Sequence, residues 1–194
     1  ITQKYPDHLH EQTLRRLKPA VVFAPDFLVS RLQRILPDVT IRSFSDKARS
    51  QSLGSVRITH LPTRRRFDPI YDAYFLEHAD ESVLIANHGF QIDDGHRMEL
   101  GHDGRCEVLL SCFNLYSLPS ILGGLVSPGL DGLANLVEQT QPRKVVQTHD
   151  ELKYAKGLVP ALARIIPFDE DGVQDHAWLR DRYLPIPDYQ PVTP

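Results

Sequence analysis

The amino-acid sequence predicts a layered α/β or α+β domain, and three features carry that prediction. A group of short alternating strands fills much of the first half. A strand–helix–strand–helix order follows in the second half. An early segment, Asp26 to Leu36, sets apolar residues on one helical face between two strand candidates.

Taken in order, Ile1-Thr2 reads as the end of a strand, and Glu11 to Lys18 has helical spacing with Leu14 and Leu17 three apart. Val21 to Ala24 is a short buried-strand candidate. In Asp26 to Leu36, Phe27, Leu28, Leu32, Ile35 and Leu36 share a face, and Pro37 closes the helix. Val39 to Phe44 and Ser55 to Leu61 alternate as strands do. Tyr71 to Glu77 and Ser82 to Ala86 follow, joined by the polar His78-Ala79-Asp80-Glu81 turn. Glu107 to Cys112 is a further apolar strand, and Ser117 to Pro128 reads as a loop near a site. Leu130 to Gln139 has helical periodicity, Lys144 to Gln147 is a buried strand, and Glu151 to Arg164 is a helix that Pro160 bends or divides. The prolines from Pro185 to Pro194 predict surface chain without regular structure. The expected organisation is one domain over 1–168 and a proline-rich extension over 169–194.

A chain of 194 residues can bury a core of its own. Its 41% hydrophobic and 24% charged content fits a globular protein. A net charge of -3 offers no basic excess, so no nucleic-acid partner is expected. No apolar stretch approaches the roughly 20 residues that cross a membrane, so none is expected there either. Two cysteines, Cys106 and Cys112, are too few for a disulfide framework, which points to a reduced, cytoplasmic setting. Arg64, Arg65 and Arg66 form the one dense basic run, which a solvated loop would explain.

The opening stretch, Ile1 to His10, carries the most chemistry. A strand end, a turn, then Asp7, His8 and His10 at the start of a helix is how an α/β scaffold presents metal ligands. Carboxylate with neutral imidazole suits zinc, iron or manganese. A helix N-cap at Asp7 with incidental histidines accounts for the same residues.

This stretch resembles the signature of the metallo-β-lactamase fold, Thr-His-x-His-x-Asp-His after a strand. Thr2, Asp7 and His8 match it, while Gln3 and Tyr5 stand where the first two histidines belong. Ser43 to Pro62 resembles the strand pair ahead of the family's third histidine, whose place Arg64 or Arg65 takes. Leu84 to Gly89 resembles the strand that ends in the bridging aspartate, with His88 at that position. Val145 to His149 resembles the last strand, which ends in the final histidine. The resemblance runs from residue 1 to about 165. It implies the C-terminal portion of an αββα sandwich with a metal site along one edge. It also implies a domain that lacks its N-terminal strands, so that the chain is a fragment or needs a partner chain to supply them; a homo-oligomer is the other assembly considered.

The departures have a chemical meaning. Arginine cannot deprotonate to ligate a metal, so the first metal site should be empty. The second would hold one divalent ion, zinc by preference and otherwise iron or manganese, on Asp7, His8, His88 and His149. The activity implied is hydrolysis of an ester, lactone, amide or phosphodiester in a small-molecule substrate by one metal-bound water, with Asp7 as general base. Arg64 and Arg65 would bind the substrate. The alternative is a catalytically inactive relative that serves binding or assembly.

Bland readings stand beside each of these. His8 and His149 also fit buried polar positions, and His88-Gly89 also suits a tight turn. His10 reads as a surface residue and His60 as structural. His78, His96, His102 and His176 take no role. Cys112 reads as a buried inert thiol. Asp93-Asp94-Gly95-His96 lacks the further acidic positions of a calcium loop.

Overall fold

The computed structural model describes residues 1–5, 8–63, 71–100, 105–148, 150 and 161–186. Helix α1 spans Glu11–Leu17, strand β1 Val21–Pro25, helix α2 Asp26–Ile35 and strand β2 Thr40–Phe44. Strands β1 and β2 pair in parallel, as strands joined through a helix must. The spacing of Leu28, Leu32 and Ile35 puts one face of α2 onto this pair, where Val22, Ala24, Leu9 and Leu14 complete a small core. Two of the apolar residues with helical spacing do not join it: Phe27 is 51% exposed and Leu17 is 69% exposed. Ile1-Thr2 is not a regular strand, although the Ile1 amino group donates to the Phe23 carbonyl of β1.

Six strands form the main sheet. Strands β3 Ser50–Leu53, β4 Val56–Leu61, β5 Ala73–His78 and β6 Glu81–Ala86 make the antiparallel meander. The β5–β6 turn is Ala79-Asp80, with Ala79 at φ 51°, and it is tighter than the four-residue turn the sequence suggests. Strand β3 has no clear alternation of its own and forms by pairing with β4. Helix α3, Asp94–Leu100, then leads to β7, Val108–Ser111, parallel to β6. Beyond it, β10 at Lys144–Gln147 pairs in parallel with β7, giving the order β10-β7-β6-β5-β4-β3.

The segment Ser117 to Pro128 is not a plain loop. It holds part of a hairpin, β8 Leu115–Ser117 and β9 Leu125–Pro128, around a 3-10 turn at Ser120–Leu122. Strand β11, Arg164–Ile166, adds to β8, so Arg164 is in a strand rather than the expected helix. Most of that helix, 151–160, lies outside the described residues. Helix α4, Gly129–Thr140, follows β9 directly.

Strand alternation divides the main sheet into two faces. Leu61, Ala73, Phe75, Leu84 and Leu109 turn toward α4, which contributes Leu133, Leu136 and Val137. Tyr74 and His60 turn the other way, and Phe44 of β2 packs on both, with ring centroids 5.8 Å and 5.7 Å away. The layers therefore run helix, sheet, sheet, helix: α4, the main sheet, β1–β2, and α2. Residues beyond 168 also enter this core through Val173 and Leu179, the latter on α5, Ala177–Arg180. Backbone bonds from Val145 to Arg182 and from Leu184 to Val145 then line the outer edge of β10. Residues 187–194, in the proline-rich end, lie outside the described residues.

Candidate functional site

Strands β6, β7 and β10 are parallel, and Ala86, Ser111 and Gln147 stand in register at their C-terminal ends. Open α/β sheets bind ligands beyond such ends. The edge is tied together by bonds from the Ser111 hydroxyl to the Ala86 carbonyl (2.9 Å) and from Thr148 N–H to the Ser111 carbonyl (2.9 Å). Past it, the Asp150 carboxylate accepts from the backbone N–H groups of Phe113 and Asn114, and the Asn114 side chain returns a bond to the Asp150 carbonyl. The Cys112 thiol sits 2.8 Å from the Ser127 hydroxyl, and burial pushes its pKa up to about 11. It is a buried, protonated thiol and not a nucleophile.

His88 lies two residues past β6, in a turn that Gly89 closes at φ 73° with its N–H on the Ala86 carbonyl. Pro128 seats this turn. A Cβ on Gly89 would fall 2.5 Å from Pro128 Cγ, and one on Gly132 of α4 only 2.2 Å away. The two glycines let the proline ring wedge between the turn and the helix.

His8 reaches the same place from the other layer. Its Nδ1 lies 3.2 Å from the Thr2 hydroxyl, and Leu9 anchors the adjoining backbone in the α2 core. The His8 and His88 rings are 6.1 Å apart between centroids. Tyr71 is the next ring, 6.5 Å from His88. Gln3, in the place of the family's first histidine, is buried, while Tyr5 is 37% exposed. Asp7, His149, Arg64 and Arg65 lie outside the described residues.

Three other histidines have partners away from this pair. His10 is exposed, with Nδ1 2.8 Å from the Thr13 hydroxyl. His60 is buried 2.8 Å from Asp72, whose other oxygen accepts from Thr63 N–H. His96 is not in a polar loop: it is buried on α3, packed on Phe90, with Nε2 3.0 Å from the Pro62 carbonyl. The Asp93-Asp94-Gly95-His96 stretch is the capped start of that helix, since Asp93 accepts from His96 N–H at 3.0 Å.

Two imidazoles on one zinc, with Zn–N bonds of about 2.0–2.1 Å, hold their centroids roughly 5 to 6 Å apart. The His8–His88 pair, at 6.1 Å, stands just beyond that range, and imidazole is a fitting donor for zinc or iron. Among the described residues there is no group of three or more His, Cys, Asp and Glu side chains placed to hold a metal. Among them, too, no helix is long and apolar enough to cross a membrane.

A cleft of about 460 Å³ opens beside this pair, with His88, Tyr71, Leu125, Pro128 and Asn135 in its walls. None of these neighbours is signalled by a motif. Tyr71, Leu125 and Asn135 come from three separate elements, and only their packing brings them together.

The chain has the metallo-β-lactamase fold. It superposes on the metallo-β-lactamase fold protein YhfI from Bacillus subtilis with a TM-score of 0.52 and 13% identity, over 76% of this chain and 63% of that one. It is also similar to an isothiocyanate hydrolase from Delia radicum gut bacteria, with a TM-score of 0.64 and 15% identity, over 96% of this chain and 72% of that one. CmlA, a diiron beta-hydroxylase from Streptomyces venezuelae, matches with a TM-score of 0.58 and 16% identity, over 93% of this chain and 39% of that one. The chain thus spans less than two thirds of YhfI and of CmlA. No protein-family model and no curated protein matches it.

Proposed function

We propose that this protein is a metal-dependent hydrolase that works with a single divalent ion on Asp7, His8, His88 and His149. The observation that carries the reading is the meeting of the His8 and His88 rings, 6.1 Å apart, at the C-terminal edge of the main sheet. The two residues come from different layers of the fold, and a structural role for either does not require the other. Hydrolase chemistry on this fold, as in the isothiocyanate hydrolase, supports the reading, as does the diiron centre of CmlA for a metal on it.

A bound zinc, iron or manganese ion supplies Lewis acidity that brings the ionisation of water toward neutral pH. The chain's own residues do the rest. Thr2 holds His8 by Nδ1, which would make Nε2 the nitrogen that ligates an ion. The Gly89–Pro128 contact sets the His88 turn. Where three of the four, His8, His88 and His149, hold the ion and leave a position open for water, Asp7 would take the proton from that water, and Arg64 and Arg65 would hold the substrate through its developing negative charge. The substrate is a small molecule with an ester, lactone, amide or phosphodiester bond.

Metal analysis after incubation with zinc, iron or manganese tests this. Close to one equivalent is expected for the protein, and less than about a tenth for His8→Ala and His88→Ala. Less than about a tenth for the unaltered protein, correctly folded, overturns the reading. The burial of Gln3 where an imidazole would stand favours a second reading, a non-catalytic relative that serves binding or assembly. In that case His8→Ala would leave the biological role intact.

A further inference from the structure

We propose that two copies of this chain join edge to edge through strand β11, Arg164–Ile166, with a two-fold axis at Ile165. The inference stands apart from the hydrolase reading and needs no metal.

The apolar side chains that stay in water are gathered around this strand. Half of the large exposed ones among the described residues are Ile121, Leu122, Leu125, Leu162, Ile165 and Ile166. All six belong to the small sheet or to the chain that enters and turns it. Arg164 stands opposite Ser117 of β8, and Ser117 opposite Leu125 of β9. Strands β8 and β11 are antiparallel, so Leu162 lies at the same end of the sheet as the hairpin tip with Ile121 and Leu122. A gathering of this kind marks an interaction surface.

The edge of the sheet says what the surface fits. The order β11-β8-β9 leaves β11 outermost, and no strand among the described residues pairs with its outer side. Successive side chains of a strand point to opposite faces, yet Ile165 and Ile166 are 50% and 45% exposed. A molecule resting on one face of the sheet would cover only one of them. A strand added alongside meets both. Pro167 has no N–H to carry the ladder further, so pairing is held to the three residues of β11 and centred on Ile165. An antiparallel second copy then sets Ile165 against Ile165 and Arg164 against Ile166.

Charge selects the same arrangement. Arg164 is exposed and has no ion-pair partner among the described residues. Asp169 and Asp171, both exposed, follow on the other side of Ile165. In an antiparallel pair, the chain before Ile165 in one copy runs beside the chain after it in the other. Each Arg164 therefore reaches toward the acidic turn of the other copy, and the two-fold repeats that contact in a closed dimer. The joined sheet, β9-β8-β11-β11-β8-β9, would carry Leu125 and Pro128 of each cleft wall at its two ends.

Ile165→Cys in the full chain tests the axis directly. Facing Cα atoms of an antiparallel pair are about 4.5–5.5 Å apart, which suits a disulfide. With glutathione disulfide as oxidant, Ile165→Cys should become mostly a covalent dimer, and Leu53→Cys, similarly exposed on β3, should not. The native Cys106 and Cys112 are buried and stay out of the exchange. In sedimentation velocity the unaltered chain should be a dimer at about 50 µM. Ile165→Asp and Arg164→Asp should each weaken association by about tenfold or more, and Leu53→Asp should leave it unchanged. A monomer at about 100 µM, a dimer that survives Ile165→Asp or Arg164→Asp undiminished, or equal cross-linking of Leu53→Cys overturns the proposal. A monomer that co-sediments with phosphatidylcholine vesicles overturns it too, and gives the patch to a lipid surface.

Discussion

Gly132 offers a test in which the sign of the effect decides. It lies inside α4, where exchanging glycine for alanine ordinarily stabilises by about 0.8–1.0 kcal/mol. Here the added methyl would fall 2.2 Å from Pro128 Cγ and 2.5 Å from Pro128 Cβ. Carbon atoms rest at about 3.5–4.0 Å, so the overlap exceeds an ångström against a ring that cannot swing aside. Pro128 cannot simply retreat, because Gly89 borders it on another side. Overpacking of this kind costs about 1–3 kcal/mol. Set against the helical gain, Gly132→Ala should lose about 0–2 kcal/mol instead of gaining, or up to roughly 8 °C in melting temperature. Urea denaturation followed by circular dichroism reads this. In a Pro128→Gly background both clashing atoms are gone, and Gly132→Ala should be neutral or stabilising, a coupling of about 1–3 kcal/mol. A gain in stability with Pro128 present, or the same change in both backgrounds, would refute the wedge.

Three further outcomes follow from the same geometry. Burial raises the Cys112 thiol to about 11, above its ordinary value near 9, so folding favours the protonated form. Its contribution is complete below pH 9 and is lost as pH rises toward 11; stability should fall across that window by up to about 3 kcal/mol, and less in Cys112→Ala. Asp150→Ala should cost about 2–4 kcal/mol in denaturant titration, since the backbone donors of Phe113 and Asn114 lose a charged acceptor. Tyr74→Phe should hold stability or raise it by about 1 kcal/mol in the same assay, because the buried Tyr74 hydroxyl has no hydrogen-bond partner among the described residues.

Local spacing was enough to read α2, α4, the β4–β6 meander and β10, because their periodicity lies within a few residues of chain. Other elements depend on distant partners. Strand β3 exists by pairing with β4, and the glycine- and proline-rich stretch to Pro128 becomes a hairpin with β11 added to its edge. Helix α3 was not foreseen: Asp93 caps it and His96 buries itself against Phe90. Periodicity named a helical stripe but not its width, and Phe27 and Leu17, which share the spacing, stay exposed. Val173 and Leu179 carried an apolar signal that the prolines after them obscured.

The chain's resemblance to the metallo-β-lactamase fold implied the layer order, and the resemblance of its opening and of Leu84 to Gly89 offered His8 and His88 as ligands of one site. Only the tertiary structure decided that their rings meet, and that Tyr71, Leu125, Pro128 and Asn135 enclose a cleft beside them. The reason is physical. Backbone propensity and alternation act between near neighbours along the chain, whereas a site is made by side chains from strands and helices whose approach is set by the packing of whole layers.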